Sequence, residues 1–480
     1  MGQLHIVFLP VMAHGHTIPT LDMAKLFTSR GLKTTIIATP AFAGPITKAQ
    51  ESGHAINLSI LKFPPKGSSL PDNVVSLDQM STPDLIPKFV EALSLLREPV
   101  EKLLQELNPN CLVSDMFLPW TADSAAKFGI PRLVFHGTNC FAQCVAEQMH
   151  IHKPYKNVSS DAEPFSVPNL PHELTFTRSQ VPEFELFEDE ENEFSKLRKQ
   201  MRESDKKSYG VIFNSFTELE SDYADHYKNV LGRKAWHIGP LLLRNNENEE
   251  KPESRGRESA IDEHECLSWL DSKKPNSVVY ACFGSIATFT PAQLHETAVG
   301  LEGSGQDFIW VVRNGKHDDE EWLPEGFEER VKGRGLIIRG WAPQVAILGH
   351  PAVGAFVTHC GWNSTLEGIC AGLPMVTWPV FAEQFYNEKL VVEVLRVGVS
   401  VGNKKWMRVG SEGVSREAVA EAVRRVMVGE EAEEMRNRVE GYKEMARRAV
   451  GEGGSSYKGL NDLIQELSVY VPPSKKQDTV

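Results

Sequence analysis

Short apolar runs alternate with segments of helical spacing along nearly the whole chain, and this alternation restricts the fold more than any other feature. In the first half, a long helix is expected over residues 84–107 and a shorter one over 20–30. The strands expected there are residues 4–10, 33–39, 56–61, a run around 112, 132–135 and, as the last of this half, 210–214. Strands that alternate with helices form parallel, doubly wound α/β sheets.

A polar, charged segment at residues 245–263 interrupts this pattern, which then restarts. Strands are expected at 277–285, 307–312, 336–339, 353–359, 374–379 and 397–401, and helices at 415–428 and 430–450. A chain of 480 residues and 53.5 kDa is long enough for two domains. The predicted division is a first domain over 1–244, a linker over 245–263, a second domain over 264–454, and a final helix and tail over 455–480.

The residues after strand 353–359 suit a bound diphosphate. The sequence Cys-Gly-Trp-Asn-Ser follows this strand, and a helix is expected to open at Ser364. A helix start presents free backbone N–H groups and the positive end of the helix dipole to an anion. Gly361 permits a close approach of the backbone, and three side chains can donate hydrogen bonds to phosphate oxygens: His359, Asn363 and Ser364.

Neighbouring residues suit the other parts of a nucleotide sugar. Glu367 lies one turn along the same helix face, where its carboxylate can accept both ribose hydroxyls. Trp341 offers a ring face for uracil, with Gln344 and the backbone of Ala342 at the edge of the base. The hexose contacts are predicted at Trp362, Glu383 and Gln384, and a second place for phosphate at Ser285, where strand 277–285 ends in Gly-Ser.

Each of these features has a structural alternative when it is taken alone. Ser364 and Glu367 have the spacing of a helix capping box, which requires no ligand. Trp362 and Trp378 can belong to the core. For either feature by itself the structural interpretation is favoured, whereas the complete stretch from Trp341 to Gln384 favours a ligand site.

The first strand leads into the sequence His14-Gly15-His16, which is expected to be a loop before the helix 20–30. Open α/β sheets bind their ligands at this end of a strand, and an imidazole there can take a proton near physiological pH. Asp115 ends the strand around 112 and, if the two strands are neighbours, can hydrogen-bond the ring of His16. A structural histidine is the alternative. A metal bound by His14, His16 and Asp115 is a weaker one, because His-x-His is too little for a metal site.

The stretch 341–384 resembles, almost position for position, the signature box of plant secondary-product glycosyltransferases of family 1. The resemblance extends over essentially the whole chain. It implies the GT-B architecture, in which two Rossmann-like domains with doubly wound parallel sheets face each other across a cleft. It also implies inverting, metal-independent transfer from a UDP-sugar, with His16 as general base and Asp115 as its partner.

The resemblance also bears on both substrates. A Gln at the end of the box, here Gln384, goes with glucose in this family, so UDP-glucose is the expected donor. His16 and Ala382 are expected on the acceptor side. The first half is most similar to members that act on phenolics such as flavonoids, with triterpenoids and plant hormones next. No cofactor is expected besides the donor substrate, and no metal is required.

Composition excludes several other classes of protein. A net charge of −13 and a pI near 5.7 argue against a nucleic-acid-binding protein, which needs a basic face. Seven scattered cysteines without metal-ligand spacing are typical of a reducing compartment. The sequence shows neither a signal peptide nor a membrane-spanning run. The expectation is a cytoplasmic monomer that binds a UDP-sugar and a small-molecule acceptor, without stable membrane insertion.

Two other functions remain open at the level of the sequence. One is a UDP-sugar epimerase or hydrolase on a similar fold, which would need no acceptor. The other is a protein that binds the nucleotide sugar without catalysis. A nicotinamide-dependent enzyme is disfavoured because no GxGxxG sequence follows the first strand.

Overall fold

The computed structural model describes most of the chain, in eight stretches: residues 3–80, 82, 84–187, 190, 192–244, 259–312, 322–407 and 413–472. Most of the predicted linker (residues 245–258) and most of the C-terminal tail (473–480) lie outside them. The chain forms two compact units. The first consists of Met1–Cys140, Phe187–Asn248 and Arg448–Val480, and the second of Phe141–Leu186 and Glu249–Arg447.

The strands of both units are numbered here in chain order. They are β1 His5–Leu9, β2 Lys33–Ala38, β3 Ile56–Ile60, β4 Cys111–Asp115, β5 Arg132–Phe135, β6 Pro164–Ser166, β7 Thr175–Thr177, β8 Gly210–Phe213, β9 Ala235–His237, β10 Val278–Cys282, β11 Asp307–Val312, β12 Gly335–Arg339, β13 Val353–Thr358, β14 Met375–Thr377 and β15 Gly398–Ser400.

The α-helices follow the same convention. They are α1 His14–Ser29, α2 Pro40–Glu51, α3 Leu85–Leu95, α4 Arg97–Leu107, α5 Thr121–Lys127, α6 Cys140–His152, α7 Glu183–Leu186, α8 Glu193–Lys207, α9 Ser221–Asn229, α10 Leu241–Arg244, α11 Glu263–Asp271, α12 Pro291–Gly303, α13 Phe327–Arg330, α14 Gln344–Leu348, α15 Trp362–Ala371, α16 Gln384–Lys389, α17 Arg416–Met427, α18 Ala432–Val450 and α19 Ser455–Ser468. Short 3-10 helices lie at Leu77–Gln79, Pro154–Asn157, Arg178–Gln180 and Thr217–Leu219, and a π-helical turn at Leu390–Val394.

The first unit is built on a parallel sheet in the order β3-β2-β1-β4-β5-β8-β9. Its central strands β1, β4, β5 and β8 are buried along their whole length, as is expected of strands covered by helices on both faces. The last helix, α19, contributes Leu460 and Leu463 to the core of this unit. Gly459 lies on the same helix, where a Cβ would come within 2.8 Å of the carbonyl oxygen of His237 on β9.

The second unit contains a parallel sheet in the order β12-β11-β10-β13-β14-β15. A separate antiparallel pair is formed by β6 and β7. In both large sheets the chain starts near the middle and reverses direction beside the first strand. Ligands of doubly wound sheets bind at such a reversal, outside the carboxyl ends of the strands. The predicted α/β class with two parallel sheets is confirmed.

Three predicted element boundaries are wrong in the first unit. The helix expected over 84–107 is two helices, α3 and α4, because Pro99 has no N–H group for a hydrogen bond to the carbonyl of Leu95. Helix α1 begins at His14 and contains Pro19, so His16 lies in the first helical turn and not in a loop. The last strand of the sheet is β9, a three-residue strand beyond 210–214 that is too short to show a period of two.

One buried acid in the second unit is positioned to make stability depend on pH. Glu388 on α16 is 5% exposed and accepts a hydrogen bond from the hydroxyl of Thr377 at 2.8 Å. Burial raises the pKa of Glu388 to about 7, against the opposing effects of hydrogen bonds from Ser400 and Thr377 and of the charge of Lys389. Since this pKa lies above the usual 4.5, stability that is present at acid pH is lost as the pH rises from 4.5 to about 7.

We therefore expect Glu388→Gln to remove this loss of stability. At pH 8 the variant should exceed the parent in free energy of unfolding by about 3 kcal/mol, since one pKa unit corresponds to about 1.4 kcal/mol, and at pH 4.5 the two should be alike. Urea titrations at both pH values measure the difference. Glu433→Gln, which changes an exposed side chain on α18, is the matched control. An equal effect of Glu388→Gln at both pH values contradicts the prediction.

Candidate active site

His16 and Asp115 come together at the carboxyl edge of the first sheet. β1 and β4 are neighbours, with Leu9 opposite Ser114 in the parallel register, so the residues that follow these strands lie side by side. Nδ1 of His16 lies 2.6 Å from Oδ2 of Asp115. The imidazole is 18% exposed, whereas the carboxylate is only 1% exposed. The buried carboxylate of Asp115 thus orients the imidazole of His16, which solvent can reach.

The residues around this pair fix both partners. The second oxygen of Asp115 accepts a hydrogen bond from the backbone N–H of Phe117 at 3.0 Å, and the ring of Phe117 packs edge-on against His16. The guanidinium of Arg132 is buried and donates to the carbonyl of Asp115 at 3.0 Å. Gly137, at φ +72°, passes so close that a Cβ would lie 3.1 Å from Cε1 of His16. These contacts leave the imidazole little freedom to rotate.

In the second unit, two glycines make room for the ring of His359. Gly284 follows β10 at φ +72°, and Gly361 precedes α15 at φ −60°. A Cβ on Gly284 would lie 2.6 Å from Cε1 and Nε2 of His359, and one on Gly361 would lie 2.5 Å from Nε2. β10 and β13 are paired up to Cys282 and Thr358, so both loops leave the sheet at the same edge. The ring of His359 therefore lies between two backbones at the start of α15.

The imidazole of His359 is neutral at physiological pH. Burial lowers the pKa of His359 to about 4. Its Nδ1 atom is shielded from solvent and has no hydrogen-bond partner among the residues with assigned positions. A neutral imidazole has one ring N–H group that can donate a hydrogen bond.

Helix α15 begins two residues earlier than expected. Its N-cap is Gly361 and no side chain caps it, so the predicted opening at Ser364 is wrong, and the capping-box alternative for Ser364 and Glu367 is wrong as well. Because a glycine cap has no side-chain oxygen, the first N–H groups of the helix receive no side-chain acceptor at the cap. Asn363 lies in this first turn and is partly exposed. The arrangement can bind an anion.

Gln344, the first residue of α14, connects that helix to α15. Its Nε2 donates to Oγ of Ser364 at 3.1 Å and to Oε2 of Glu367 at 2.6 Å, while its Oε1 accepts from the buried hydroxyl of Tyr280 at 3.2 Å. Gln344 was predicted to bind the base and Glu367 to bind the ribose. The structure places these two side chains within hydrogen-bond distance of each other.

Trp341 and Ala342 lie beside these residues in sequence, after β12. The carbonyl of Trp341 accepts hydrogen bonds from the backbone N–H of Ala260 at 2.7 Å and from the hydroxyl of Ser259 at 3.3 Å. The side chain of Trp341 is partly exposed and Ala342 is buried. Ser285, predicted as a further phosphate ligand, is partly exposed in the loop after β10. All of these residues follow strands of one parallel sheet at its carboxyl edge.

The residues predicted to contact the sugar differ in their exposure and in their hydrogen bonds. Oε1 of Gln384 accepts from the backbone N–H groups of Val380 and Phe381 at 2.8 and 3.0 Å, which orients its amide so that the NH₂ group is the remaining donor. Glu383 is partly exposed, and its Oε1 accepts from Asn387 at 3.2 Å. Trp362 is only 2% exposed, so its ring belongs to the packed interior.

Ala382, predicted on the acceptor side, has the left-handed conformation that L-residues rarely adopt, with φ +52°. Its carbonyl accepts a hydrogen bond from the indole N–H of Trp406 at 3.1 Å. A non-glycine residue in this conformation persists only when its surroundings hold it, and such positions cluster at functional sites.

Several residues of this arrangement were not anticipated from the sequence. Asn387 is buried and donates to the carbonyl of Cys360 at 2.8 Å as well as to Glu383, so it joins α16 to the turn before α15. Its position four residues after Glu383 on a helix is a signal that the sequence already carries. Gly284 and Gly137 follow strand ends and could have been selected as close-approach glycines. Tyr280 gave no such signal.

Within the described stretches, no group of three or more His, Cys, Asp or Glu side chains is arranged to hold a metal ion. A search of the helices with assigned positions found none that combines the length and the apolar character needed to cross a bilayer.

Comparison with known proteins identifies the class. Residues 11–435 match the family model described as UDP-glucoronosyl and UDP-glucosyl transferase. The chain is 60% identical to a scopoletin glucosyltransferase of Nicotiana tabacum, with 98% of this chain and 99% of that protein covered. It is 54% identical to an anthocyanin 3′-O-beta-glucosyltransferase of Gentiana triflora, with 98% and 99% covered. The chain belongs to the plant family 1 UDP-glycosyltransferases, and it is a UDP-glycosyltransferase enzyme.

Solved structures agree with this assignment. Glycyrrhiza uralensis UGT73P12, complexed with glycyrrhetinic acid 3-O-monoglucuronide, has a TM-score of 0.89 at 43% identity, with 97% of this chain and 96% of that chain covered. Medicago truncatula UGT71G1, complexed with UDP-glucose, has a TM-score of 0.78 at 28% identity, with 97% and 98% covered. The two parallel α/β sheets are those of the GT-B fold.

Proposed function

We propose that this enzyme transfers glucose from UDP-glucose to a hydroxyl group of a small phenolic acceptor, with inversion at the anomeric carbon and without a metal ion. The observation that supports the mechanism most directly is the contact between His16 and Asp115. A partly exposed imidazole bound through Nδ1 to a buried carboxylate is the arrangement of a general base.

The chemistry follows from the orientation of that ring. With Asp115 ionised, the ring hydrogen lies on Nδ1 and the lone pair lies on Nε2. Nε2 of His16 removes the proton of the acceptor hydroxyl as its oxygen forms a bond to the anomeric carbon. The bond from that carbon to the UDP oxygen breaks on the opposite face, so one displacement inverts the configuration. Asp115 stabilises the imidazolium that results.

The donor residues supply the other half of the reaction. The leaving diphosphate gains negative charge as the glycosidic bond breaks, and donors at that position lower the barrier. We assign this role to the N–H groups at the start of α15, to Asn363 and Ser364, and to Ser285 and the neutral His359. Trp341, Ala342 and Gln344 bind the base and Glu367 binds the ribose. No step of this scheme requires a metal ion.

Gln384 and Glu383 are proposed to bind the hexose, together with Trp362, whose ring is buried and whose backbone N–H opens α15. The fixed amide of Gln384 offers a hydrogen-bond donor to a sugar hydroxyl.

The names of the relatives favour glucose and phenolic acceptors, since they refer to scopoletin, anthocyanin and flavonoid glucosyltransferases. Ala382 is proposed to line the acceptor side. We keep as a proposal the predicted division into an acceptor-binding domain over 1–244, a linker over 245–263 and a donor-binding domain over 264–454.

Two further features bear on the compartment in which the enzyme acts and on its partners. The seven cysteines form no disulfide with one another, and Cys140 and Cys144 lie one turn apart on α6, in agreement with a reducing compartment such as the cytoplasm. The negative net charge disfavours nucleic acid as a partner. We propose a monomer that acts on small molecules.

The test is a transfer assay in the presence of EDTA. Purified protein is incubated with UDP-glucose, or with UDP-galactose, and a pool of phenolic and terpenoid acceptors, and products are detected by a mass increase of one hexose residue. We expect undiminished transfer in EDTA, a preference for UDP-glucose and a β-linked product from the α-linked donor, assigned by the anomeric coupling constant in NMR.

The outcomes separate the proposal from its alternatives. Release of UDP without an acceptor identifies a hydrolase, and conversion of one UDP-sugar into another identifies an epimerase. Binding of UDP-glucose without any reaction identifies a non-catalytic protein. Loss of transfer in EDTA that Mg²⁺ restores contradicts the metal-free mechanism, and an α-linked product contradicts inversion.

A further inference from the structure

The turn that leads to the proposed sugar contacts is hydrogen-bonded to a second segment of the same unit. The turn, residues 379–383, lies between β14 and α16, and the second segment, residues 403–407, follows β15. Each of three bonds runs from a donor of the second segment to a carbonyl of the turn. They are Asn403 Nδ2 to Pro379 at 2.6 Å, the backbone N–H of Met407 to Val380 at 2.8 Å, and Trp406 Nε1 to Ala382 at 3.1 Å.

The bond from Trp406 is made at the strained residue of the turn. Ala382 has φ +52°, a left-handed conformation that an L-residue keeps only when its surroundings hold it there. The direction of the Ala382 carbonyl depends on the backbone angles of this residue. A donor that binds the carbonyl therefore favours the left-handed conformation over the alternatives.

Trp406 is itself held from other sides. The residue is 8% exposed, and its backbone N–H donates to the carbonyl of Ser179 at 2.8 Å. The hydroxyl of Ser179 donates in turn to the carbonyl of Lys404 at 2.6 Å. The ring of Phe184 packs edge-on against the indole, with 6.1 Å between the ring centroids. The indole N–H is thus a donor in a defined position.

The backbone of Ala382 determines where the next two side chains lie. Glu383 and Gln384 follow it directly in the chain. Oε1 of Gln384 accepts from the backbone N–H groups of Val380 and Phe381, which precede Ala382. Ala382 is therefore enclosed between the two ends of these hydrogen bonds. A change of its backbone angles must break them or move the amide of Gln384.

We propose that Trp406 is a positioning residue for the donor sugar. Its indole N–H holds Ala382 in the left-handed conformation, which places the side chains of Gln384 and Glu383 against the hexose. This inference rests on the proposed function, in which these two residues bind the hexose. The residues proposed to bind the base, the ribose and the diphosphate lie outside both segments. Trp406 therefore acts on the hexose part of UDP-glucose and not on the UDP part.

The test compares the dissociation constants of UDP-glucose and UDP, measured by calorimetry on the complete chain without an acceptor. Trp406→Phe retains an aromatic ring and lacks the N–H group. We expect it to raise the ratio of the UDP-glucose constant to the UDP constant about tenfold, as for loss of one hydrogen bond to the hexose. The affinity for UDP should be unaltered. Gln384→Ala, which removes a proposed sugar contact directly, should raise the ratio at least as much.

Two further variants complete the set. Trp269→Phe, which changes a partly exposed tryptophan on α11, is the matched control and should leave the ratio unaltered. Trp406→Met fills the space without an N–H group and replaces Trp406→Phe if that variant does not fold.

A glycine at position 382 separates positioning from packing. Glycine adopts positive φ readily, so it does not need a donor to hold this conformation. In the Ala382→Gly background, Trp406→Phe should therefore raise the ratio less than it does in the parent. If the indole serves packing alone, the rise is the same in both backgrounds and the inference is overturned.

The remaining outcomes distinguish this inference from the proposed function. If Gln384→Ala raises the ratio and Trp406→Phe does not, the sugar contact stands and only the role of Trp406 is overturned. The same holds if Trp406→Phe weakens UDP and UDP-glucose equally. If neither variant changes the ratio, the proposed sugar contact of Gln384 is wrong and the inference fails with it. A rise in Trp406→Phe alone contradicts the route through Gln384. The expected ratios without any transfer contradict only the proposed function.

Discussion

Replacing His16 by alanine is expected to lower kcat for glucosyl transfer by about 10³-fold, within the range for loss of a general base. The imidazole is held through Nδ1 at 2.6 Å from a buried carboxylate, and Nε2 is the nitrogen proposed to accept the proton of the acceptor hydroxyl. The proposed UDP ligands all lie in the second unit, whereas His16 lies in the first. UDP affinity should therefore stay within about twofold of the parent, as for a residue that acts on the transition state alone.

Asp115→Asn should have nearly the same effect on kcat, because the carboxylate acts only through the imidazole. The double variant His16→Ala with Asp115→Asn should then be no slower than the single variants, since residues that act as one unit are not additive. Single-turnover rates at saturating UDP-glucose measure kcat, and calorimetry measures UDP affinity. His264→Ala changes an exposed histidine of the second unit and is the control. If the losses in kcat of the two single variants multiply in the double variant, His16 and Asp115 do not act as one unit. If UDP affinity falls together with loss of folding, His16 has a structural role.

The strand–helix alternation was sufficient to predict two parallel sheets, whereas the contact between His16 and Asp115 was predicted only on the condition that their strands are neighbours. Each strand of a doubly wound sheet is buried on both faces, so its apolar run is visible in the sequence. Once β1 and β4 are neighbours, the residues that end them must meet. The residues proposed to bind the donor could likewise be assigned to one sheet edge, because they follow the strands β10, β12, β13 and β14 of one parallel sheet.

The features that could not be predicted depend on contacts remote in sequence. Asp78, whose carboxylate contacts His14, lies in a 3-10 turn of an irregular segment that hydrogen bonds from Ser76 and Leu77 to the carbonyl of Met12 hold in place. β9 has three residues, too few to show a period. The start of α15 was misplaced because Ser364 has the chemistry of a cap, whereas Gly361 occupies that position and allows the backbone to pass close to His359.

That close approach supports the second large prediction: Gly361→Ala should raise the dissociation constant of UDP about 10²-fold. The φ of −60° at Gly361 suits any residue, so the substitution introduces no backbone strain and tests the close approach alone. Its Cβ would lie 2.5 Å from Nε2 of His359, and the ring must therefore move. The displaced ring disturbs the helix start where the diphosphate is proposed to bind, and two lost charge-assisted hydrogen bonds account for about 3 kcal/mol.

Uridine separates this effect from a general loss of the site. It lacks the diphosphate but retains the base and ribose that Trp341, Gln344 and Glu367 are proposed to bind, so Gly361→Ala should weaken uridine by less than about threefold. Gly441→Ala is the matched control, because Gly441 lies on α18 with nothing within 4 Å of its Cβ position and should leave both affinities unaltered. If Gly361→Ala weakens uridine as much as UDP, the start of α15 is not the diphosphate site. If it weakens neither, His359 has room to move without affecting the ligand, and the two glycines around it serve packing alone.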